Sequence, residues 1–193
     1  MHATPTPPPA PRQDRLALIA DARRAVLHDG ALAPAMGVEP WIERSWRRCL
    51  ASGQHPEQRL AFDRVSAPEQ RRTTDSNRDL VDAARPVLHT LGRAMANTRY
   101  FAILTNARGV VVDVNGPIDR SDRRADLITR IGADLSEPCV GTTAIGAALI
   151  EQQPVWLHRG EHFFADTSVY SCAGAPLFGP DGACVGMLDL TGI

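Results

Sequence analysis

The sequence predicts an α+β fold: a central antiparallel sheet with packed helices, preceded by an N-terminal helical segment. Three observations predict it. Up to about residue 97, apolar residues recur at helical spacing. Beyond residue 99 they gather into short runs bounded by two turn signals, Asn106-Ala107-Arg108-Gly109 and Gly179-Pro180-Asp181-Gly182. The resulting order of hairpin, helices, strand and hairpin calls for an antiparallel sheet with helices to one side.

The elements follow in order. Residues 1–12 begin with five prolines in eleven positions and read as a disordered or polyproline tail. Over 13–29, Leu16, Ile19, Ala20, Val26 and Leu27 recur at helical spacing, and Gly30 stops the helix. A second helix begins near Pro40, whose ring suits a first turn, and runs through Trp41, Ile42, Trp46 and Leu50 to Gly53. Together they make a helical extension over 13–65. Ser66-Ala67-Pro68-Glu69 has the spacing of a capping box. One long helix is expected over 66–97, with Leu80, Ala84, Val87, Leu88, Leu91 and Met95 on one face and a kink or fresh start at Pro86.

Residues 100–105 and 110–114 are expected to pair as a hairpin, with Gly109 suited to positive φ. A short helix is expected within 116–131 and a loop over 132–141. Thr142 or Thr143 caps a small helix over 144–152. Strands over 154–158, 170–178 and 183–191 complete the sheet, with a loop over 159–169. Residues 66–193 are thus expected to form the main domain, with sheet and pocket over 100–193.

Composition narrows the chemistry. The 193 residues are 44 % apolar and 22 % charged with a net charge of −1, which excludes wholesale disorder and a nucleic-acid-coating protein. All 21 basic residues are arginine. Without lysine there is no phosphate-binding P-loop lysine and no Schiff-base chemistry. The four cysteines form no C-x-x-C pair, and the N-terminus has no apolar signal-peptide core. A cytoplasmic protein with reduced thiols is expected. Arg44, Arg47 and Arg48 beside the tryptophans read as a solvated face more readily than as a nucleic-acid patch.

Three constellations have chemical potential. His158-Arg159-Gly160-Glu161-His162 matches H-x-x-E-H, but Gly160 and the upstream Pro154 deny it the helix that a zinc peptidase needs. Glu161 and His162 are better read as shaping a loop or contacting a ligand. Cys172 and Cys184 sit on consecutive strands, and Cys139 precedes a helix, so a thiol sensor or enzyme competes with buried cysteines acting as small apolar groups. The small residues from Gly141 to Ala148 allow close packing on the sheet.

Taken in order, several segments resemble the N-terminal sensory region of AcoR-like (acetoin-catabolism regulator) activators. They are Ser45-Trp46-Arg47-Arg48-Cys49, Leu104-Thr105 through Gly109-Val110-Val111, and Ser136-Glu137 before Gly141-Thr142-Thr143-Ala144-Ile145-Gly146. Glu161-His162-Phe163, Cys172-Ala173-Gly174-Ala175-Pro176 and Gly186-Met187-Leu188-Asp189-Leu190-Thr191-Gly192 complete the set. The resemblance implies a GAF fold with a ligand pocket, in the signal-receiving part of an activator that works with sigma-54 RNA polymerase. The family's ATPase and helix-turn-helix domains are absent from this chain, so contact with the polymerase and DNA is expected only through them. A longer activator is expected, a stand-alone sensor being the alternative. Thr143 stands where the family usually has Asn, and Leu135 where it often has Trp.

The expectation is a ligand-binding regulatory domain without catalytic activity, cofactor, metal or membrane contact. Its effector is a small molecule of unknown identity. The pocket is expected between the sheet and the 116–141 and 159–169 segments, contacting Tyr100, Thr142, Thr143, Trp156, His158, Glu161, His162, Phe163, Tyr170 and Cys172. Binding is expected to shift the 66–97 helix, with a homodimer through the N-terminal helices transmitting the change. The alternatives are a thiol enzyme of the free-methionine sulfoxide reductase type, using Cys139 with Cys172 or Cys184, and a metal, haem or bilin sensor.

Overall fold

The computed structural model describes residues 12–61 and 65–193. The Pro-rich tail expected over 1–12 lies outside the described residues except at Arg12, which opens helix α1 (Arg12–Arg23). A π turn, Arg24–His28, continues α1, and Gly30 follows at φ +65°. Helix α2 (Pro40–Ala51) starts with its proline in the first turn. It buries Trp41, Ile42, Ser45, Trp46 and Cys49 along one stripe.

The single long helix expected over 66–97 is two helices. They are α3 (Ala67–Ser76) and α4 (Arg78–Ala94), broken at Asn77, where φ is −119° and ψ 16°. The local chemistry explains the break. Thr74 and Ser76 hydroxyls and the Asn77 amide all donate to backbone carbonyls one turn back, competing with the helical ladder. Pro86 stays inside α4. It and Asp82, whose carbonyl loses a helical donor, are both exposed. The capping box at the start of α3 is present in both directions, Ser66 Oγ accepting from Glu69 N–H and Glu69 accepting from Ser66 N–H.

Five strands form one antiparallel sheet in the order β2-β1-β5-β4-β3. They are β1 (Phe101–Asn106), β2 (Val111–Asn115), β3 (Val155–His158), β4 (Ser171–Phe178) and β5 (Cys184–Gly192). Side chains alternate across it. Ala102, Leu104 and Val112 pack with Leu88 and Met95 under α4 on one face. Phe101, Ile103, Cys172 and Met187 belong to a larger core on the other face. That core also takes in Val26, Ile42, Trp46 and Cys49, so the N-terminal extension is packed into the same interior as the sheet.

The larger core is roofed by α5 (Arg123–Ile128), α6 (Glu137–Val140) and α7 (Ala144–Glu151), with 3-10 turns at Arg159–Glu161 and Ala165–Thr167. Thr143 caps α7, its Oγ1 accepting from Gly146 N–H at 3.3 Å. A Cβ at Gly174 in β4 would stand 2.6 Å from Met187 Cε and 2.9 Å from Ala144 O, so glycine is what lets α7 settle on the sheet. Among the described residues no helix is long and apolar enough to cross a membrane.

Leu88 is 1 % exposed between α4 and the sheet, whereas Val87 is 52 % exposed on the outer side of the same turn. Leu88→Ala is expected to cost about 2–5 kcal/mol in urea denaturation. Val87→Ala is expected to change stability by less than about 0.5 kcal/mol.

Candidate functional site

Between the sheet and its roof lies a cavity of about 40 Å³. Its apolar walls include Ile103, Ile128, Leu135, Val140 and Ile145, and its polar members are Thr143, His162, Thr167, Tyr170, Cys172, Asp189 and Thr191. The hydrogen bonding of the polar members is unequal. His162 Nδ1 lies 2.9 Å from Arg159 O, and Nε2 lies 3.5 Å from Cys172 Sγ. Cys172 Sγ is 3.4 Å from Thr191 Oγ1, which in turn meets Asp189 Oδ2. Tyr170 Oη and Asp189 Oδ1 are buried with no hydrogen-bond partner among the described residues.

Burial sets the charge states. It pushes the Asp189 carboxyl up to about 7, the Thr191 hydroxyl opposing. It pushes His162 down to about 4, and Arg23 adds to the effect. The Cys172 thiol is raised well above its usual range by burial and then by Asp189, and the Tyr170 phenol is raised by burial. The cavity is therefore lined by an uncharged imidazole, thiol and phenol, and by one carboxyl poised near neutrality.

The residues singled out from sequence separate into three places. Thr143, His162, Tyr170 and Cys172 line the cavity. Tyr100, Trp156 and His158 line an open outer groove with Arg15, Leu16, Arg159, Ser171 and Ile193. Thr142, Glu161 and Phe163 line neither and are fully buried. Thr142 Oγ1 is 2.6 Å from Ser45 Oγ, Glu161 accepts from Arg15 and His158 N–H, and Phe163 packs edge-on against Phe164. The HxxEH segment is thus divided, with His162 in the cavity wall and Glu161 capping a turn.

Sequence reasoning did not single out Asp189, Thr191 or the aliphatic walls as ligand contacts. The signal for Asp189 and Thr191 was present. Strand alternation puts them on the face of Met187, where two polar residues at i and i+2 interrupt a buried row.

The wall segment 159–170 is held from outside. The Arg23 guanidinium donates to the carbonyls of Gly160, His162 and Phe163, and Trp46 Nε1–H to Glu161 O at 2.9 Å. Burial lowers the Arg23 pKa, Glu57 opposing. Arg48 reaches both oxygens of Glu137 at 2.7 and 2.9 Å, and Ser45 donates to Glu137 at 2.5 Å. Arg47 pairs with Glu43 and Arg44 with Glu151. The three arginines of α2 are thus engaged with carboxylates as intramolecular clamps.

The cysteines are dispersed. Cys172 pairs with Thr191 at one end of the β4–β5 ladder and Cys184 with Phe178 at the other, about 20 Å apart at strand rise. Cys139 lines a separate depression beside α3. No pair of these thiols meets at the cavity.

A five-stranded antiparallel sheet with one helical layer behind it and a cavity-enclosing layer in front defines a GAF-like α+β domain. More particularly, the chain belongs to the MimR N-terminal domain family, whose model, described as MimR, N-terminal domain, matches residues 17–193. The acetoin catabolism regulatory protein of Cupriavidus necator is 31 % identical over 186 residues, covering 94 % of this chain and 27 % of that protein. The propane 2-monooxygenase operon transcriptional activator MimR of Mycolicibacterium goodii is 32 % identical over 172 residues, covering 88 % of this chain and 28 % of its own. This chain therefore spans little more than a quarter of these relatives. The structure of the E. coli DhaR(N)–DhaL complex shares the fold, with a TM-score of 0.73 at 19 % identity over 80 % of this chain and 52 % of that one.

Two outcomes are expected. An unfolded Asp189 ionises near 3.8, whereas the folded one holds its proton to about 7. Stability associated with it is therefore full below pH 4, falls as pH rises to about 7 and is flat above. Relative to Asp189→Asn, urea denaturation should show the original protein losing up to about 4 kcal/mol across that window. Arg23→Ala should speed hydrogen exchange in the 159–164 amides and cost about 1–3 kcal/mol.

Proposed function

We propose that this chain is the effector-sensing domain of a bacterial transcriptional activator and that it binds a small organic molecule in the cavity between the sheet and α5–α7. The relatives are transcriptional regulators, which supports the regulatory half of the reading. One observation carries the ligand half: Tyr170 Oη and Asp189 Oδ1 are buried without a protein partner at an apolar cavity. Leaving such groups unpaired costs about 1–3 kcal/mol each, and a ligand that met both would recover that cost. Thr143, His162, Tyr170 and Cys172 contact the effector in this reading, joined by Asp189 and Thr191. Its walls belong to α5, α6, α7 and the 162–170 segment, which the N-terminal helices clamp.

The finer parts of the reading are a non-enzymatic role, a cytoplasmic location and action with sigma-54 RNA polymerase and DNA through domains outside this chain. A homodimer through N-terminal helices belongs to the same reading. A second reading takes a protein as the input. It draws on the DhaR(N)–DhaL complex and on the outer groove, where Trp156 is 70 % exposed. The sigma-54 reading requires the response to appear only in the complete activator.

The test is native mass spectrometry of the purified domain, followed by thermal-shift screening of the compound it carries. Leu135→Phe, which fills the cavity, should abolish the shift while the variant stays folded. An unchanged shift in that variant would place the effector elsewhere.

A further inference from the structure

Arg159 O can only accept, so His162 Nδ1, 2.9 Å away, carries the ring's hydrogen. The buried ring is neutral, which leaves Nε2 as an acceptor. The thiol 3.5 Å away is its protein donor, and the sulfur of a thiol that gives its hydrogen to His162 can accept one from Thr191, 3.4 Å on the other side. A Thr191 hydroxyl used in this way has spent its hydrogen, and its oxygen then accepts from a protonated Asp189 Oδ2 in their short contact. Read in this direction, every acceptor in the chain has a donor.

The reverse direction is poorer at two points. An ionised Asp189 would take the Thr191 hydrogen, and the single thiol hydrogen could then serve His162 Nε2 or Thr191 Oγ1 but not both, leaving one contact unmade. A carboxylate would also face the cavity with no cation in its wall. The titratable groups lining it, from the 159–170 segment, β4 and β5, are His162, Tyr170, Cys172 and Asp189. Arg23 lies beyond the wall, bonded to the carbonyls of Gly160, His162 and Phe163. A buried unpaired charge costs far more than a neutral acid.

We infer that Asp189 meets the effector as a neutral acid, its proton committed to Thr191 and its Oδ1 left to accept from the hydroxyl of an uncharged, alcohol-like ligand. This deepens the effector-cavity reading and rests on it. Tyr170 O–H, the other unpartnered group, supplies the donor that the same class of ligand accepts. A carboxylate brings only acceptors to Oδ1 and has no cation to meet. An ammonium group has no lone pair for Tyr170 and would favour an ionised Asp189, whose proton is lost to water, breaking the chain at its source.

The test has two independent readouts. Carbon-13 NMR of side-chain carboxyls, with Asp189 assigned by its loss in Asp189→Asn, reports the proton without any ligand. Asp189 should remain protonated at pH 6, where exposed carboxyls are ionised. An ionised Asp189 at that pH overturns the inference whatever binds. The second readout is saturation-transfer NMR with propan-1-ol, propylammonium and propanoate. The alcohol should bind best at pH 6 and weaken about tenfold per pH unit well above the Asp189 titration. Asp189→Asn should retain the alcohol without that pH dependence, because its amide N–H replaces the acid proton towards Thr191 and its carbonyl still accepts. Asp189→Leu should lose the preference for the alcohol. Tightest binding by propylammonium, or loss of the alcohol in a folded Asp189→Asn, overturns the inference. A protonated Asp189 with no probe bound overturns its ligand half and shows the fault to lie in the cavity reading.

Discussion

The cavity depends on hydrogen bonds that its own wall cannot make. The 159–170 segment is mostly turn and loop, so its carbonyls have no regular ladder to satisfy them. Arg23 and Trp46, both from the N-terminal helices, donate to four of them in succession, from Gly160 to Phe163. Arg48 and Ser45 hold the roof by donating to the side-chain carboxylate of Glu137 at the start of α6. Remove these donors and the wall would have to turn its carbonyls to water, opening the space behind them. The N-terminal helices are for this reason part of the same domain, although their own residues stay out of the cavity.

That arrangement also suggests how occupancy would be felt at a distance. His162 presents its ring to the cavity and its carbonyl to Arg23. A ligand that displaced the ring would act on α1 through a single residue. Helix α4, by contrast, lies across the sheet from the cavity, and a signal to it must pass through the sheet. Within the proposed function, the N-terminal helices therefore have the shorter path.

The chemistry of the site is set by dryness more than by residue type. A histidine, a cysteine and an aspartate side by side would suggest a nucleophile and its base in a wetter setting. Here burial keeps the imidazole and the thiol neutral and raises the carboxyl towards neutrality. The group is suited to hydrogen-bond recognition. The same residues on a solvated loop would have different protonation and different uses.

Local rules made most of the elements readable. Pro40, the Ser66 capping box, the Gly109 and Gly182 turns and the cap at Thr143 each act within a few residues, so the sequence by itself determined where those elements begin or turn. It determined less well where one helix yields to another. Pro86 looked like the break, but hydroxyl and amide side chains around Asn77 outcompeted the helical ladder first. The site was legible only in part, because Thr142 and Thr143, like Glu161 and His162, are adjacent in sequence yet face different surroundings. Strand pairing placed Asp189 and Thr191 beside Cys172, and helix packing turned Thr142 towards Ser45 instead of the cavity. Only the tertiary structure decided those matters, because burial, partner and protonation state belong to the neighbours that folding brings from far along the chain.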